Sequence, residues 1–122
     1  MNEQIIQGNY YEQIIQGHYS TATQGSNSTA TQGRESIAIQ GDCSEAVQGK
    51  DSVAIQGNDS TATQGECSVR FIRYWDSDEA RWRGYVAEVF EEGKGTLTSG
   101  AVRLDPGKAY RFENGQFVEV SQ

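Results

Sequence analysis

The sequence has one proline, one histidine and two cysteines, and between residues 20 and 67 it has no aromatic residue. Each scarcity excludes something. Two cysteines alone do not make a disulfide framework. Cys43 and Cys67 with His18 give no zinc-ligand spacing, and His18 has no nucleophile in a recognisable catalytic pattern. No apolar run reaches the roughly 18 residues of a membrane-spanning helix. The opening Met1–Gly8 lacks the basic and apolar stretches of a secretion signal, so a cytoplasmic location is expected. Basic residues are scarce in the first 67 positions, where Arg34 and Lys50 face eight acids, a net of −6. Residues 68–122 are nearly balanced, with eight bases and nine acids. This acidity disfavours direct binding to nucleic acid or to an anionic membrane, and admits a basic protein as a partner.

What fills the aromatic-free stretch is repetition. Gln-Gly occurs eight times in the first 65 residues. Six octads of the form Ser-x-Ala-x-Gln-Gly-x-x end their phrases at Gly25, Gly33, Gly41, Gly49, Gly57 and Gly65. A fixed short period marks a solenoid, in which each unit buries its core only against its neighbours. Alternation within each phrase reads as a short strand, and the glycine reads as the turn residue with an unusual φ. Two octads make one 16-residue coil with two flat faces, and residues 3–67 give about four coils stacked at strand spacing. The expected fold is all-β: a short parallel β-solenoid over 1–67 and a small antiparallel β cap over 68–122.

Ser, Ala and Gln never vary across the six octads, whereas the intervening positions accept Thr, Ile, Val and Glu45. A position that accepts Glu is solvated, since a buried unpaired carboxylate is costly. Ser, Ala and Gln therefore point inward, with the Gln amides satisfying one another along the stack. The opposite register would bury Glu45 without a partner. Outward positions then sort by face. One face carries Thr21, Thr23, Ile37, Ile39, Val53, Ile55, Val69 and Phe71; the other carries Thr29, Thr31, Glu45, Val47, Thr61 and Thr63. The first is a stack of β-branched apolar residues, the mark of an interface. A second copy of the chain, forming a dimer, is the favoured occupant; a folded-back cap is the alternative.

The same arithmetic puts Cys43 and Cys67 on opposite turns, too far apart to bridge. Arg34 and Lys50 fall one coil apart on one edge beside Glu35 and Asp51, as a charged ridge or a solvated salt-bridge ladder. At the start the repeat loosens to nine residues, with Ile5 and Ile14 in the Ala column and Tyr10, Tyr11 and Tyr19 in the turns, as an end plug or as a surface that pairs two molecules end to end. Beyond Ser68 the pattern is ordinary β. Ser68–Trp75 continues the last strand, Asp76–Glu79 turns, and Arg81–Phe90 returns. Asn114-Gly115 signals a hairpin that sets Phe112 opposite Phe117.

No catalytic set emerges. Gly93-Lys-Gly-Thr96 lacks the P-loop's first glycine, where Glu88 stands. Asp76, Asp78 and Glu79 lack the glycine and distal glutamate of a calcium loop. The chain is expected to be non-enzymatic, with no metal and no cofactor.

Octads and cap together resemble the bacterial ice nucleation proteins. The residues that carry the likeness are the octads, Ser68-Val-Arg-Phe-Ile-Arg-Tyr-Trp-Asp76, Arg81-Trp-Arg83 and the Gly93–Gly95 turn. The resemblance implies a solenoid of 16-residue coils with a carboxy-terminal cap. The family's arrays are many times longer, and its usual Ala-Gly is Gln-Gly here. A second likeness, to the heads of trimeric autotransporter adhesins, rests on Ser52-Val-Ala-Ile55; in those rolls Val and Ile face a neighbouring subunit.

Three functions follow as expectations. The first is a scaffold or binding module that self-associates through Ile37, Ile39, Val53, Ile55, Val69 and Phe71. The second is an acidic nucleic-acid mimic that presents Glu35, Asp42, Glu45, Asp51, Asp59 and Glu66 to a basic protein. The third is ice binding through Thr29, Thr31, Thr61 and Thr63.

Overall fold

The computed structural model describes residues 4–7 and 13–120. Eight short strands come first: β1 (Gln4–Gln7), β2 (Gln13–Ile15), β3 (Ser20–Thr23), β4 (Thr29–Thr31), β5 (Ile37–Ile39), β6 (Glu45–Val47), β7 (Val53–Gln56) and β8 (Thr61–Thr63). Two long ones follow, β9 (Ser68–Asp76) and β10 (Arg81–Val89). The chain closes with β11 (Val102–Leu104), β12 (Ala109–Glu113) and β13 (Gln116–Glu119). No helix occurs among the described residues.

Odd and even strands separate into two sheets. The first runs β1-β3-β5-β7-β9-β10-β11 and the second runs β13-β12-β8-β6-β4-β2. Pairing from β1 to β9 and from β2 to β8 is parallel, always between residues 16 apart: Ala38 with Ala54, Ala30 with Ala46. The molecule is an all-β solenoid of about five turns, one more than the octads alone suggest, because β9 completes a fifth turn on the first sheet.

The interior is the one the octad alternation demands. Ala22, Ala30, Ala38, Ala46, Ala54 and Ala62 form a single buried column. Ala is the residue that lets two sheets approach this closely. Flanking it, Ser20, Ser28, Ser36, Ser44 and Ser52 each donate the hydroxyl to the carbonyl of the glycine three residues before, at 2.5–2.9 Å. Gln amides form two ladders. Gln32, Gln48 and Gln64 each donate Nε2 to Oε1 of the Gln one coil earlier, as do Gln40 and Gln56, at 2.9–3.0 Å. The same Nε2 reaches a backbone carbonyl five residues on, so the buried amides are satisfied on both counts.

The turns correct one expectation. Left-handed φ belongs not to the glycines of Gln-Gly but to the second residue after them: Tyr19, Asn27, Glu35, Cys43, Asp51, Asp59 and Cys67, all near +60°. Glycine is required for a different reason. A Cβ on Gly49 would sit 2.8 Å from the backbone nitrogen of Arg34, and one on Gly65 would sit 2.8 Å from that of Lys50. Gly33, Gly41 and Gly57 likewise meet backbone of the preceding coil, whereas a Cβ on Gly17 would meet nothing within 4 Å. The amino end brings a second correction. Ile6, not Ile5, is in register with Ala22, while Ile14 pairs with Ala30 as expected. The 16-residue register holds from β1 onward, so the extra residue of the opening repeat shifts the Gln-Gly phrase and not the strand. Tyr10 and Tyr11 lie outside the described residues.

The carboxy-terminal segment extends both sheets rather than folding over a face. β10 pairs antiparallel with β9, and β12 pairs antiparallel with β8 and then with β13. Asn114 and Gly115 both have positive φ, which closes the expected hairpin with Phe112 opposite Phe117. Contrary to a purely antiparallel cap, β11 runs parallel to β10, because the chain crosses back through residues 90–101 before pairing. The narrow interior widens here. Tyr74, Tyr85, Phe112 and Phe117 replace the Ala column, with ring centroids 4.9–6.2 Å apart in successive contacts.

Candidate functional site

The outer face of the first sheet carries two rows set by the 16-residue register. Thr21, Ile37, Val53 and Val69 form one; Thr23, Ile39, Ile55 and Phe71 form the other. Antiparallel pairing adds Val86 beside Phe71. Ile37, Ile39 and Phe71 are 38–39% exposed, while Val53, Ile55 and Val69 are half-buried. No charged side chain interrupts the outward positions of β3, β5 and β7; on the extension Glu88 stands beside Val69 and Arg73 follows Phe71 on the same face. The six residues expected to form an interface are therefore contiguous and accessible.

The other two residue sets are not gathered in the same way. Glu35, Asp51 and Glu66 line the edge where the second sheet passes to the first, and Asp42 and Asp59 line the opposite edge. Glu45 stands on the outer face of the second sheet between Thr29 and Thr61. Val47 likewise separates Thr31 from Thr63, so the Thr columns are broken at the middle coil.

Several edge groups hold the stack together. Asp42 accepts the Asn58 N–H at 2.8 Å, and His18 Nδ1 accepts the Arg34 N–H at 3.0 Å, each one coil on. Among the described residues no ion pair joins Arg34 or Lys50 to Glu35 or Asp51. Cys43 and Cys67 are free, exposed thiols on opposite edges. Among the described residues no three His, Cys, Asp or Glu side chains converge as a metal-binding group.

Two features went unread in the sequence. Arg70 is completely buried, in register with Ala54 at the head of the Ala column. Its Nε donates to Gln56 Oε1 at 2.9 Å, standing in for the ladder Gln that Ile72 replaces. Its two terminal nitrogens reach across to the carbonyls of Ser60 and Tyr110 on the second sheet, at 2.8 and 2.7 Å. The Phe117 ring lies 5.4 Å from the guanidinium carbon. Burial pushes the guanidinium down to about 9, which leaves it cationic at neutral pH. The signal was present: Arg70 falls 16 residues after Ala54, between two outward residues.

The second feature is an arm. β9 and β10 run on past the short solenoid strands, carrying Trp75 opposite Trp82 with centroids 5.7 Å apart. Both rings are more than half exposed, and Arg73 lies over Trp82 at 5.4 Å. At the arm's end Arg83 donates to Asp76 at 2.6 Å and to Glu79 at 2.9 Å. The Arg83 bond, with backbone N–H groups from Glu79 and Asp78, holds the Asp76 carboxyl below its ordinary value.

No protein-family model, no curated protein and no solved structure matches the chain. What the structure carries is a β-solenoid of 16-residue coils with stacked Gln and Ser ladders, and no comparison adds support to the expected likeness to ice nucleation proteins.

Proposed function

We propose that this protein is a non-enzymatic scaffold module that self-associates through the outer face of its first sheet. The observation that carries this reading is the uncovered pair of rows Ile37–Val53–Val69 and Ile39–Ile55–Phe71. Exposed apolar patches of this continuity mark interaction surfaces. A second copy is the fitting occupant, because a flat face whose residues repeat at strand spacing is complementary to itself under a two-fold axis. The acids support the same reading by their position. Those of the solenoid lie at its edges and on the opposite face, and Glu88, beside Val69, is engaged by Thr98, so little like-charge repulsion acts across the contact.

Light scattering on an Ile39→Lys, Ile55→Lys variant tests the proposal. Both side chains point to solvent in one copy, so the variant folds, and its mass falls to that of a single 13.4 kDa chain. A mass equal to that of the unmodified protein overturns the reading.

A further inference from the structure

The outer face of the first sheet does not end with the solenoid. Inward and outward positions alternate along β9, so Val69, Phe71, Arg73 and Trp75 share one side. Pairing with β10 adds Val86 beside Phe71 and Trp82 beside Trp75. Ile55 and the arm's Arg73, Trp75 and Trp82 line one open hollow of about 290 Å³, together with Gly41 and Gly57. The row through Ile39 and Ile55 is thus continuous with the Trp pair.

Size decides what the arm contributes. The two rows stand ~7 Å apart and step at ~4.8 Å between strands, so from β3 to β9 they cover roughly 200–250 Å². A specific protein contact takes ~600–1,000 Å² from each partner. The rows alone fall well short. A large aromatic side chain buries ~150–250 Å², and Trp75 and Trp82 are 51% and 57% exposed. Only a face that includes the arm approaches the size a stable dimer needs.

Composition and charge point the same way. Trp and Arg are the residues that dominate the energy of protein contacts. Here two Trp rings meet edge to face with Arg73 over one of them, and folding of one chain leaves them open to water. The lining of the hollow holds one acid, Asp42, and one base, Arg73. A second copy, with a net charge of −7, therefore meets no like-charged wall there. Projecting rings beside a hollow suit an isologous contact, in which each copy supplies both.

We infer that Arg73, Trp75 and Trp82 belong to the self-association surface and supply most of its binding energy, with a second copy of this chain as the occupant. This rests on the self-association proposed above and adds that the solenoid rows are too small to hold two copies together unaided.

Trp75 and Trp82 are the only tryptophans in the sequence, so Trp emission reports on this contact alone. Sedimentation velocity, Trp emission and acrylamide quenching followed along one dilution series of the intact protein test the inference. As the mass falls from two chains to one, emission shifts to the red and quenching rises at least twofold. Trp75→Ala and Trp82→Ala each weaken self-association tenfold or more. Val118→Ala, which removes an exposed apolar side chain of the second sheet, leaves it within about twofold. Far-ultraviolet circular dichroism confirms that each variant is folded; should loss of a ring loosen the arm, the dilution series on the unmodified chain decides. A fall in mass with no change in emission or quenching, or unchanged affinity in the folded Trp variants, overturns this inference and leaves self-association standing. A single-chain mass at every concentration overturns self-association itself, and this inference with it.

Discussion

The solenoid and its carboxy-terminal extension share two sheets but are held together by different chemistry. In the solenoid the interior is Ala, Ser and Gln, and cohesion comes from hydrogen bonds repeated every 16 residues. In the extension the interior is aromatic, and a single buried cation closes the ladder. Repetition makes the first region cheap to specify and leaves every coil edge open to the next. A terminus has to break the pattern, and Arg70, at an Ala position, does so while giving Gln56 Oε1 the donor that the Gln replaced by Ile72 would have supplied.

Substitution of Arg70 should separate the two regions most sharply. Arg70→Ala removes the donor to Gln56, Ser60 and Tyr110 and leaves a cavity, for a loss of about 3–5 kcal/mol in chemical denaturation. A loss under about 1 kcal/mol would mean that the extension does not depend on the ladder's end. Next in size is a break inside the ladder. Gln40→Ala leaves Gln24 Oε1 without the Gln40 donor and Gln56 Nε2 without its ladder acceptor, costing about 2–4 kcal/mol. Gly49→Ala forces a Cβ against the Arg34 backbone and should cost about 1–3 kcal/mol. Glu35→Gly works in the opposite direction. It relieves a left-handed residue at φ 56° and raises stability by about 1 kcal/mol.

The smallest expected effect is a pH response confined to the arm. Arg83 lowers the Asp76 carboxyl in the folded state, so its contribution is complete above the ordinary value of 3.8 and is lost as pH falls through the folded value. Amide exchange in the arm should quicken below about pH 4 while the Gln-ladder amides stay protected. Simultaneous loss of both would show one cooperative unit.

Much of the fold could be read from the octads because period 2 within a strand and period 16 between coils each leave one consistent assignment of faces. Glu45 decides which side is solvent, and the inward Ser, Ala and Gln follow. The glycine was misread because a φ > 0 turn and a backbone contact leave the same sequence mark; the contact with the Arg34 turn exists only between coils. Arg70 and the Trp75–Trp82 pair escaped for a related reason. Their roles depend on what β12 and β10 bring to them from 40 and 7 residues away, respectively. The apolar rows were legible as residues, whereas their exposure depends on where the cap goes.

Sedimentation equilibrium on three proteins tests the central claim most directly: the unmodified chain, Ile39→Lys with Ile55→Lys on the first sheet, and Thr29→Lys with Thr61→Lys on the second. The account predicts twice the 13.4 kDa chain mass for the first and third and a single chain mass for the second. A single chain mass for the unmodified protein, or the same loss of mass from either face, would contradict it.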